Sequence, residues 1–272
     1  MISLPQVPAS RPPPRAFDHI SYSAISAFQT CPLRFYFRYV LGLPVSTISS
    51  SLIFGSAMHQ AVQHHFEQLL VGEPGPDSDA LLRVYHDYWK TCEGQTVHFS
   101  AGEDRESLRR VADRLLRTFI QSDFARPRGV IIGVEEQLRG QIIPGCPDLL
   151  ARVDLIVDAG TELQVSDFKT ARCAWSDYKV DDLAPQLLLY SELVKPIADG
   201  RPIKLFFAVL TKTKVPQFTV HDVPPDPLHV DRTKRTVERI WEAIQSGHFY
   251  PIPSPLNCSS CSYREPCRKW AG

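Results

Sequence analysis

The sequence lacks an excess of charge of either sign. Its 272 residues include 30 lysines and arginines and 30 aspartates and glutamates, so the formal net charge is zero. Proteins that depend on electrostatic attraction to nucleic acid usually carry a basic excess, so the balance argues weakly against that class. It does not exclude a carboxylate-rich metal site inside a basic groove, because the opposite charges would cancel.

Long hydrophobic runs and a charged-then-apolar leader are also missing. No segment approaches the roughly 20 apolar residues of a membrane-spanning helix. Residues 1–15 are instead rich in proline, with Pro12, Pro13 and Pro14 in succession, which prevents helix or sheet formation. We therefore expect a flexible tail at residues 1–18 and a soluble, cytoplasmic protein in a reducing compartment, where clustered cysteines bind metals more often than they form disulfides.

The seven cysteines fall into two groups. A C-x2-C-x5-C run near the C-terminus and a distant fourth cysteine suggest one shared site; these residues are Cys258, Cys261, Cys267 and Cys31. Four thiolates at one point would bind zinc or an iron–sulfur cluster. The remaining cysteines have no partner spacing and are expected to be free; they are Cys92, Cys146 and Cys173.

The hydrophobic pattern changes halfway along the sequence. The first half has helical periodicity, with helices predicted at about 51–70, 79–90 and 104–123, after a shorter helical segment that starts near Ser21 and is interrupted at Pro32. The second half is rich in Val, Ile and Leu. It predicts strands at about 130–141, 149–158, 162–168, 203–211 and 217–220, with helices at about 182–194 and 227–246. This order predicts an α/β or α+β domain with helical additions.

Two carboxylates and a lysine fall on neighbouring predicted strands. Asp154 lies in the apolar segment 153–157, and Asp167 and Lys169 end the strand that follows the Ala159-Gly160 turn. Adjacent strands bring the carboxylates together, and residues two apart share a strand face. Such a trio suits phosphodiester hydrolysis, because carboxylates bind Mg²⁺ or Mn²⁺ and a lysine orients water or offsets negative charge. A D-x-K motif alone is also common in surface salt bridges.

Two predicted helices carry polar pairs at a spacing of four residues, which places each pair on one helix face. Gly55 permits close backbone approach beside His59, a candidate metal ligand. Gln186 and Tyr190 are candidates for contact with phosphate or for stacking on a base. Two alternatives remain open: His59 taken alone is often a partly buried histidine with satisfied hydrogen bonds, and Gln186 and Tyr190 fit the polar positions of an ordinary amphipathic helix.

Other carboxylates lie near the trio. Glu135 and Glu136, on the preceding strand, could add a metal contact, although strand glutamates are mostly solvated. Asp148, in a Pro-Asp pair, is an alternative to Asp154, which we prefer because it lies within an apolar strand.

Taken in order, these motifs resemble the RecB-type branch of the PD-(D/E)XK nuclease superfamily over nearly the whole sequence beyond the tail. The matching elements are Ser26-x-Phe28-x-x-Cys31-Pro32, Gly55-x-x-x-His59, Asp154, Asp167-x-Lys169, Gln186-x-x-x-Tyr190 and Gly247-His248-Phe249-Tyr250-Pro251. Ala151 stands where the family usually has a glycine. The cysteines further resemble the iron–sulfur nucleases of this branch, which include AddB-type subunits and the RecB-like exonucleases of CRISPR adaptation and of phages.

The resemblance implies a nuclease core, a mixed central sheet flanked by helices, as a single domain at 19–272. Within it, 72–128 would be a helical insertion and 247–272 the cluster-binding segment of a cap that joins both termini. It implies metal binding by His59, Asp154 and Asp167, with Lys169 catalytic. It also implies a 4Fe–4S cluster held by four cysteines, Cys31, Cys258, Cys261 and Cys267; zinc remains the alternative.

We expect DNA single strands or ends as the substrate, without sequence specificity, and partner proteins from recombination, replication or CRISPR adaptation. The candidate phosphate contacts are Arg126, Arg128, Arg172, Lys212 and Lys214. Two alternatives remain open. One is a catalytically silent DNA-binding or adaptor module with a zinc site, and the other is a structure-specific endonuclease.

Overall fold

The computed structural model describes residues 17–45, 47–259 and 261–271. The tail predicted at residues 1–18 lies outside the described residues, apart from Phe17 and Asp18. The helices are α1 (Tyr22–Thr30), α2 (Pro32–Phe35), α3 (Ser50–Leu70), α4 (Ser78–Thr91), α5 (Arg105–Gln121), α6 (Asp177–Ala198), α7 (Pro227–Gln245), α8 (Pro255–Cys258) and α9 (Arg264–Arg268). The strands are β1 (His19–Ser21), β2 (Thr47–Ser49), β3 (Thr96–His98), β4 (Val130–Gly140), β5 (Asp148–Asp158), β6 (Leu163–Ala171), β7 (Ile203–Thr211) and β8 (Gln217–Val223).

The main sheet is mixed, which confirms the predicted fold class. Its strands run in the order β1–β5–β6–β7–β8, and β4 also pairs with β5. The pairs β5–β6 and β7–β8 are antiparallel, whereas β6 and β7 are parallel. A parallel pair needs a crossover connection, and α6 supplies it between β6 and β7.

The β5–β6 hairpin turns where the sequence predicted it. Gly160 has a φ of 83°, in the left-handed region that favours glycine, and its N–H donates to the Asp158 carboxylate at 2.8 Å. Arg201 donates to the same carboxylate at 2.7 Å. The turn fixes a register in which Leu155 pairs with Ser166, and this register determines which carboxylates meet further along the two strands.

Helix α6 is longer than the sequence pattern indicated. It begins five residues before the predicted start, with Ser176 as the N-cap whose side chain accepts from the Lys179 N–H at 3.4 Å. The first turn is mostly exposed and carries little hydrophobic periodicity, which is why the pattern identified only the buried middle. Pro185 and Pro196 both lie inside the helix. Strands β1, β2 and β3 and helices α8 and α9, all five residues or fewer, were not predicted.

The chain divides into two compact units. The central unit comprises Ile48–Arg139 and Ala151–Thr233. Its core packs α3, α4 and α5 against the sheet through large buried side chains such as Phe54, Phe66 and Phe119. The helices of the 72–128 segment thus share one hydrophobic core with α3.

The terminal unit comprises the described parts of Met1–Thr47, Gly140–Leu150 and Lys234–Gly272. Its core is mostly aromatic and consists of Leu33, Tyr36, Phe37 and Tyr263, with Trp270 packed against them. Residues from both ends of the sequence therefore build one core. No helix within the described residues has the length and apolar character needed to cross a membrane.

His65 lies in the core of the central unit with 4% of its surface exposed. Its Nε2 lies 2.8 Å from the Ala125 carbonyl oxygen, and its ring contacts Phe66 and Phe119 edge-on. Burial lowers the pKa of this imidazole below its ordinary 6.5, and the Arg126 cation adds to the effect. The folded protein therefore holds His65 neutral.

This burial predicts a loss of stability in acid. Below pH 6.5 the unfolded chain takes up a proton that the folded chain resists, so the free energy of unfolding should fall by up to about 1.4 kcal/mol per pH unit. His65→Gln should remove that part of the pH dependence, as measured by urea unfolding at pH 8 and pH 5. The matched control is His64→Gln, one position earlier on α3; equal flattening in both variants would contradict the assignment to His65.

Candidate active site

The central unit gathers a histidine and two carboxylates into one group. One side-chain ligand atom from each of His59, Glu135 and Asp154 lies within 4.8 Å of the others. His59 Nε2 lies 2.8 Å from Asp154 Oδ2, and its Nδ1 lies 3.1 Å from Glu135 Oε1. Nitrogen and oxygen donors at this spacing can hold a divalent metal ion.

The fold explains how these side chains meet. Asp154 precedes Leu155, which pairs with Ser166 on β6, and the Asp154 Oδ2 accepts from the Phe168 N–H at 2.6 Å. Helix α3 lies over β6: a Cβ placed at Gly55 would be 3.6 Å from the Thr170 hydroxyl, and the His59 ring lies 6.1 Å from Phe168. The 3.6 Å distance is an ordinary van der Waals contact, so an alanine would fit at position 55 and only larger side chains are excluded there.

Glu135 joins this group in a way the strand pattern did not favour. Its φ is 53°, a left-handed conformation that is uncommon for a residue other than glycine. The alternation of burial along β4 breaks there: residues 134 and 135 are both partly buried, and residues 136 and 137 are both exposed. The Glu135 side chain is consequently 12% exposed, whereas Glu136 faces solvent. Two consecutive glutamates in a strand were the only sequence signal.

Asp167 and Lys169 form an ion pair next to this group. Lys169 Nζ lies 2.6 Å from Asp167 Oδ2, and the Asp167 side chain is 3% exposed. Gln186 bridges the two: its amide oxygen accepts from Lys169 at 3.2 Å, and its amide nitrogen donates to Asp167 Oδ1 at 2.7 Å. The same nitrogen donates to the Tyr190 hydroxyl at 3.1 Å.

This network changes the interpretation of Gln186 and Tyr190. Tyr190 is only 7% exposed, so its ring is not open for stacking on a base. Gln186 is engaged by both members of the ion pair. The pair of helix residues therefore orients Asp167 and Lys169, a positioning role that the four-residue spacing alone did not specify.

The charges of the site perturb one another. Burial opposes protonation of His59, but the carboxylates of Asp154, Glu135 and Asp167 outweigh it and raise the pKa of His59 to about 9. Burial also disfavours the Lys169 ammonium, yet Asp167 and Asp154 hold the pKa of this lysine above its ordinary value. The two cations therefore face three carboxylates and offset part of their negative charge.

Burial raises the pKa of both Asp167 and Glu135. Within the described residues, Asp167 Oδ2 and Glu135 Oε1 are buried oxygens without a well-formed hydrogen bond, although a lysine or histidine nitrogen is close to each. Buried carboxylate oxygens with unused lone pairs are the ligands that Mg²⁺ and Mn²⁺ prefer, so the residues present fit such an ion.

The terminal unit brings the four predicted cysteines to one cavity of about 90 Å³. Burial, followed by the nearby thiols of Cys31, Cys261 and Cys258, raises the pKa of Cys267. The Ser254 N–H donates to Cys258 Sγ at 3.4 Å, and aromatic side chains of the terminal core lie beside the cavity. The fold thus brings together cysteines that are more than two hundred residues apart in the sequence.

The other cysteines lie elsewhere, as the lack of partner spacing indicated. Cys146 is buried, Cys173 is exposed and Cys92 is half-buried.

The chain segment after Cys31 continues from α2 into a π-helical turn, Tyr36–Val40. Such turns are rare and are frequent at functional sites.

Comparisons with known proteins bear on the fold and on the family. None of the curated proteins matches the sequence. Among solved structures, a candidate exonuclease from Eubacterium rectale is 14% identical, with a TM-score of 0.58 over 93% of this chain and 88% of that one. The protein SSO0001 is also 14% identical, over 89% of this chain and 92% of that one, but its TM-score of 0.36 carries no argument about fold.

The family comparison identifies the superfamily. The model of the PD-(D/E)XK nuclease superfamily matches residues 19–268, a range that includes the buried carboxylates, the lysine and the cysteine-lined cavity. Because the match extends over almost the whole chain, this protein belongs to the PD-(D/E)XK nuclease superfamily.

Proposed function

We propose that this chain is an Mg²⁺- or Mn²⁺-dependent exonuclease that hydrolyses phosphodiester bonds of single-stranded DNA or DNA ends. Its setting would be recombination, repair, phage DNA processing or CRISPR adaptation. Membership of the nuclease superfamily supports the reaction class. The fold shared with a candidate exonuclease is consistent with end-dependent cleavage.

One observation carries the proposal: a metal-ligand group and a Lys–Asp pair with a buried carboxylate share one site. His59, Glu135 and Asp154 supply one nitrogen and two carboxylate donors. Asp154 and Asp167 adjoin the paired residues Leu155 and Ser166 of β5 and β6, and Asp167 Oδ2 lies 2.6 Å from Lys169 Nζ. A catalytically silent copy of the fold would have no reason to retain all five groups in this arrangement.

The residues of the chain have distinct tasks in this proposal. A bound Mg²⁺ or Mn²⁺ would supply Lewis-acid polarisation of the phosphate and a more acidic water. His59, Glu135 and Asp154 would hold that ion, and Asp167 would share it or orient Lys169. The Lys169 ammonium would orient the attacking water and offset charge that develops on the phosphate. Gln186 and Tyr190 would hold the Lys169 and Asp167 side chains in position.

For the cysteine-lined cavity we propose a 4Fe–4S cluster with a structural role. Four thiols that line a cavity of about 90 Å³ leave space for a group of several atoms, since a single water needs only roughly 10–15 Å³ on this scale. A lone zinc ion would need the four sulfurs drawn around one point, with Zn–S bonds of about 2.3 Å. A backbone N–H donor to sulfur, as Ser254 provides for Cys258, also suits a cluster.

Neutralising either member of the ion pair should abolish catalysis. Asp167→Asn keeps an acceptor for Gln186, and Lys169→Met keeps side-chain volume, yet each should lower Mn²⁺-dependent cleavage of end-labelled single-stranded DNA by about 10²-fold or more. Asp222→Asn, an exposed carboxylate on β8, is the matched control and should cleave normally. Retained metal-dependent cleavage in both site variants would refute the site.

The same assay separates an exonuclease from the endonuclease alternative. Linear strands should be degraded, while a covalently closed circular strand should survive. Cleavage of the circle would favour the endonuclease, and no cleavage of any DNA by the wild-type protein would favour the silent adaptor.

Glu135 should act on metal binding and not only on turnover. Glu135→Gln should weaken Mn²⁺ binding, measured by isothermal titration calorimetry without DNA, by about 10- to 100-fold, because it removes one carboxylate donor. Glu136→Gln, the adjacent exposed position, should bind Mn²⁺ as the wild type does. Equal effects in the two variants would show that general charge loss, and not ligation by Glu135, is responsible.

The cysteine site should give the protein its colour. Wild-type protein purified without oxygen should be brown and contain iron and acid-labile sulfide, whereas Cys261→Ala should be colourless and poorly soluble. Cys92→Ala, outside the cavity, should remain brown. Stoichiometric zinc in place of iron would contradict the cluster, and a soluble, fully active and thermally unaltered Cys261→Ala protein would contradict a structural role.

A further inference from the structure

The central unit contains a cavity just beyond the end of β6. Its volume is about 370 Å³, and Glu103, Ser107, Arg172 and Lys212 contribute polar groups to its lining. Arg172 follows the last residue of β6, and Lys212 follows the last residue of β7. Because β6 and β7 are parallel, both cations emerge at the same sheet edge, where the Lys212 N–H donates to the Ala171 carbonyl at 2.7 Å.

Lys212 is a partly buried cation without a carboxylate at ion-pair distance among the described residues. Its Nζ lies 4.4 Å from the centre of the Phe54 ring. Burial lowers the pKa of Lys212, and the positive charge of Arg172 adds to the effect, while Glu103 partly opposes it. Burying a cation beside a second cation is unfavourable unless an anion offsets the cost.

Arg172 is held in place by hydroxyl groups. Its Nη2 donates to Ser51 Oγ at 3.2 Å and to Ser100 Oγ at 3.1 Å, and it lies 3.6 Å from Glu103. The hydroxyls orient the guanidinium, and Glu103 offsets part of its charge. Among the described residues that line the cavity, Glu103 is the one carboxylate, so the two cations leave a net charge of +1 there.

The cavity and the metal-ligand group lie along the same pair of elements, α3 and β6. Helix α3 runs over β6 in the opposite direction, with Ser51 at Arg172, Gly55 at Thr170 and His59 near Phe168. Ser51 and His59 are eight residues apart, which is about 12 Å along a helix axis. A stacked strand advances about 3.4 Å per nucleotide, so this distance corresponds to a few nucleotides from the metal-ligand group.

We propose that Arg172 and Lys212 form a subsite for a backbone phosphate of the DNA strand, a few nucleotides from the phosphate that is cleaved. The inference rests on the proposed nuclease function, because it assigns the subsite to the same substrate. The two side chains differ in their tasks. Arg172, fixed by Ser51 and Ser100, would place the strand, and Lys212 would gain the anionic partner that the protein itself does not supply.

The test uses DNA binding instead of cleavage. Affinity of the full-length protein for a fluorescein-labelled oligothymidylate is measured by anisotropy at several NaCl concentrations, in buffer without divalent metal. Loss of one phosphate contact should reduce the magnitude of the slope of log affinity against log salt by about 0.7. Lys212→Met keeps the contact with Phe54 and should show this loss with about tenfold weaker binding; Lys212→Arg should restore both.

Controls keep the outcomes distinct. Arg172→Gln, a second route to the same loss, should reproduce the change if Lys212→Met affects folding. Lys204→Met removes an exposed cation at the other end of β7 and should leave the slope unchanged. An unchanged slope in both site variants, or an equal change in Lys204→Met, overturns the subsite. Cleavage of DNA by the wild type would still support the proposed function in that case.

Discussion

The candidate active site depends on an ion pair whose carboxylate is buried and whose lysine is partly exposed. Asp167 is almost completely buried, and Lys169 reaches it at 2.6 Å. A buried ion pair commonly costs more in desolvation than its attraction returns, unless further hydrogen bonds satisfy both partners. Gln186 provides these bonds to each side of the pair, and Tyr190 fixes Gln186. Helix α6 is thus part of the electrostatics of the site as well as of its packing.

A second group of charges shares the same arrangement. His59 lies between the carboxylates of Asp154 and Glu135, which together with Asp167 raise its pKa to about 9. In the metal-free protein its proton offsets part of the negative charge that a divalent ion would offset. The site therefore favours a bound cation. A metal ion would replace the proton at His59 and would bind carboxylate oxygens that are already buried in the site.

Much of the fold follows from local patterns. The long amphipathic helices and the Val- and Ile-rich strands were located to within a few residues, since burial on one face or two produces a period that the sequence records. Short elements such as β1 and α9 contain too few residues to show a period. The exposed first turn of α6 escaped prediction for the same reason, as its hydrophobic residues begin only further along the helix.

The sequence by itself determined the types of chemistry. A D-x-K strand end, a histidine on a helix and a split set of cysteines specify which groups are present and which strand faces they share. The tertiary structure alone decided their partners. It brought in Glu135 through a left-handed backbone conformation, assigned Gln186 to the ion pair, and placed Arg172 beside Lys212. These contacts join residues far apart in sequence, so they depend on how the helices and strands pack together, which no local pattern encodes.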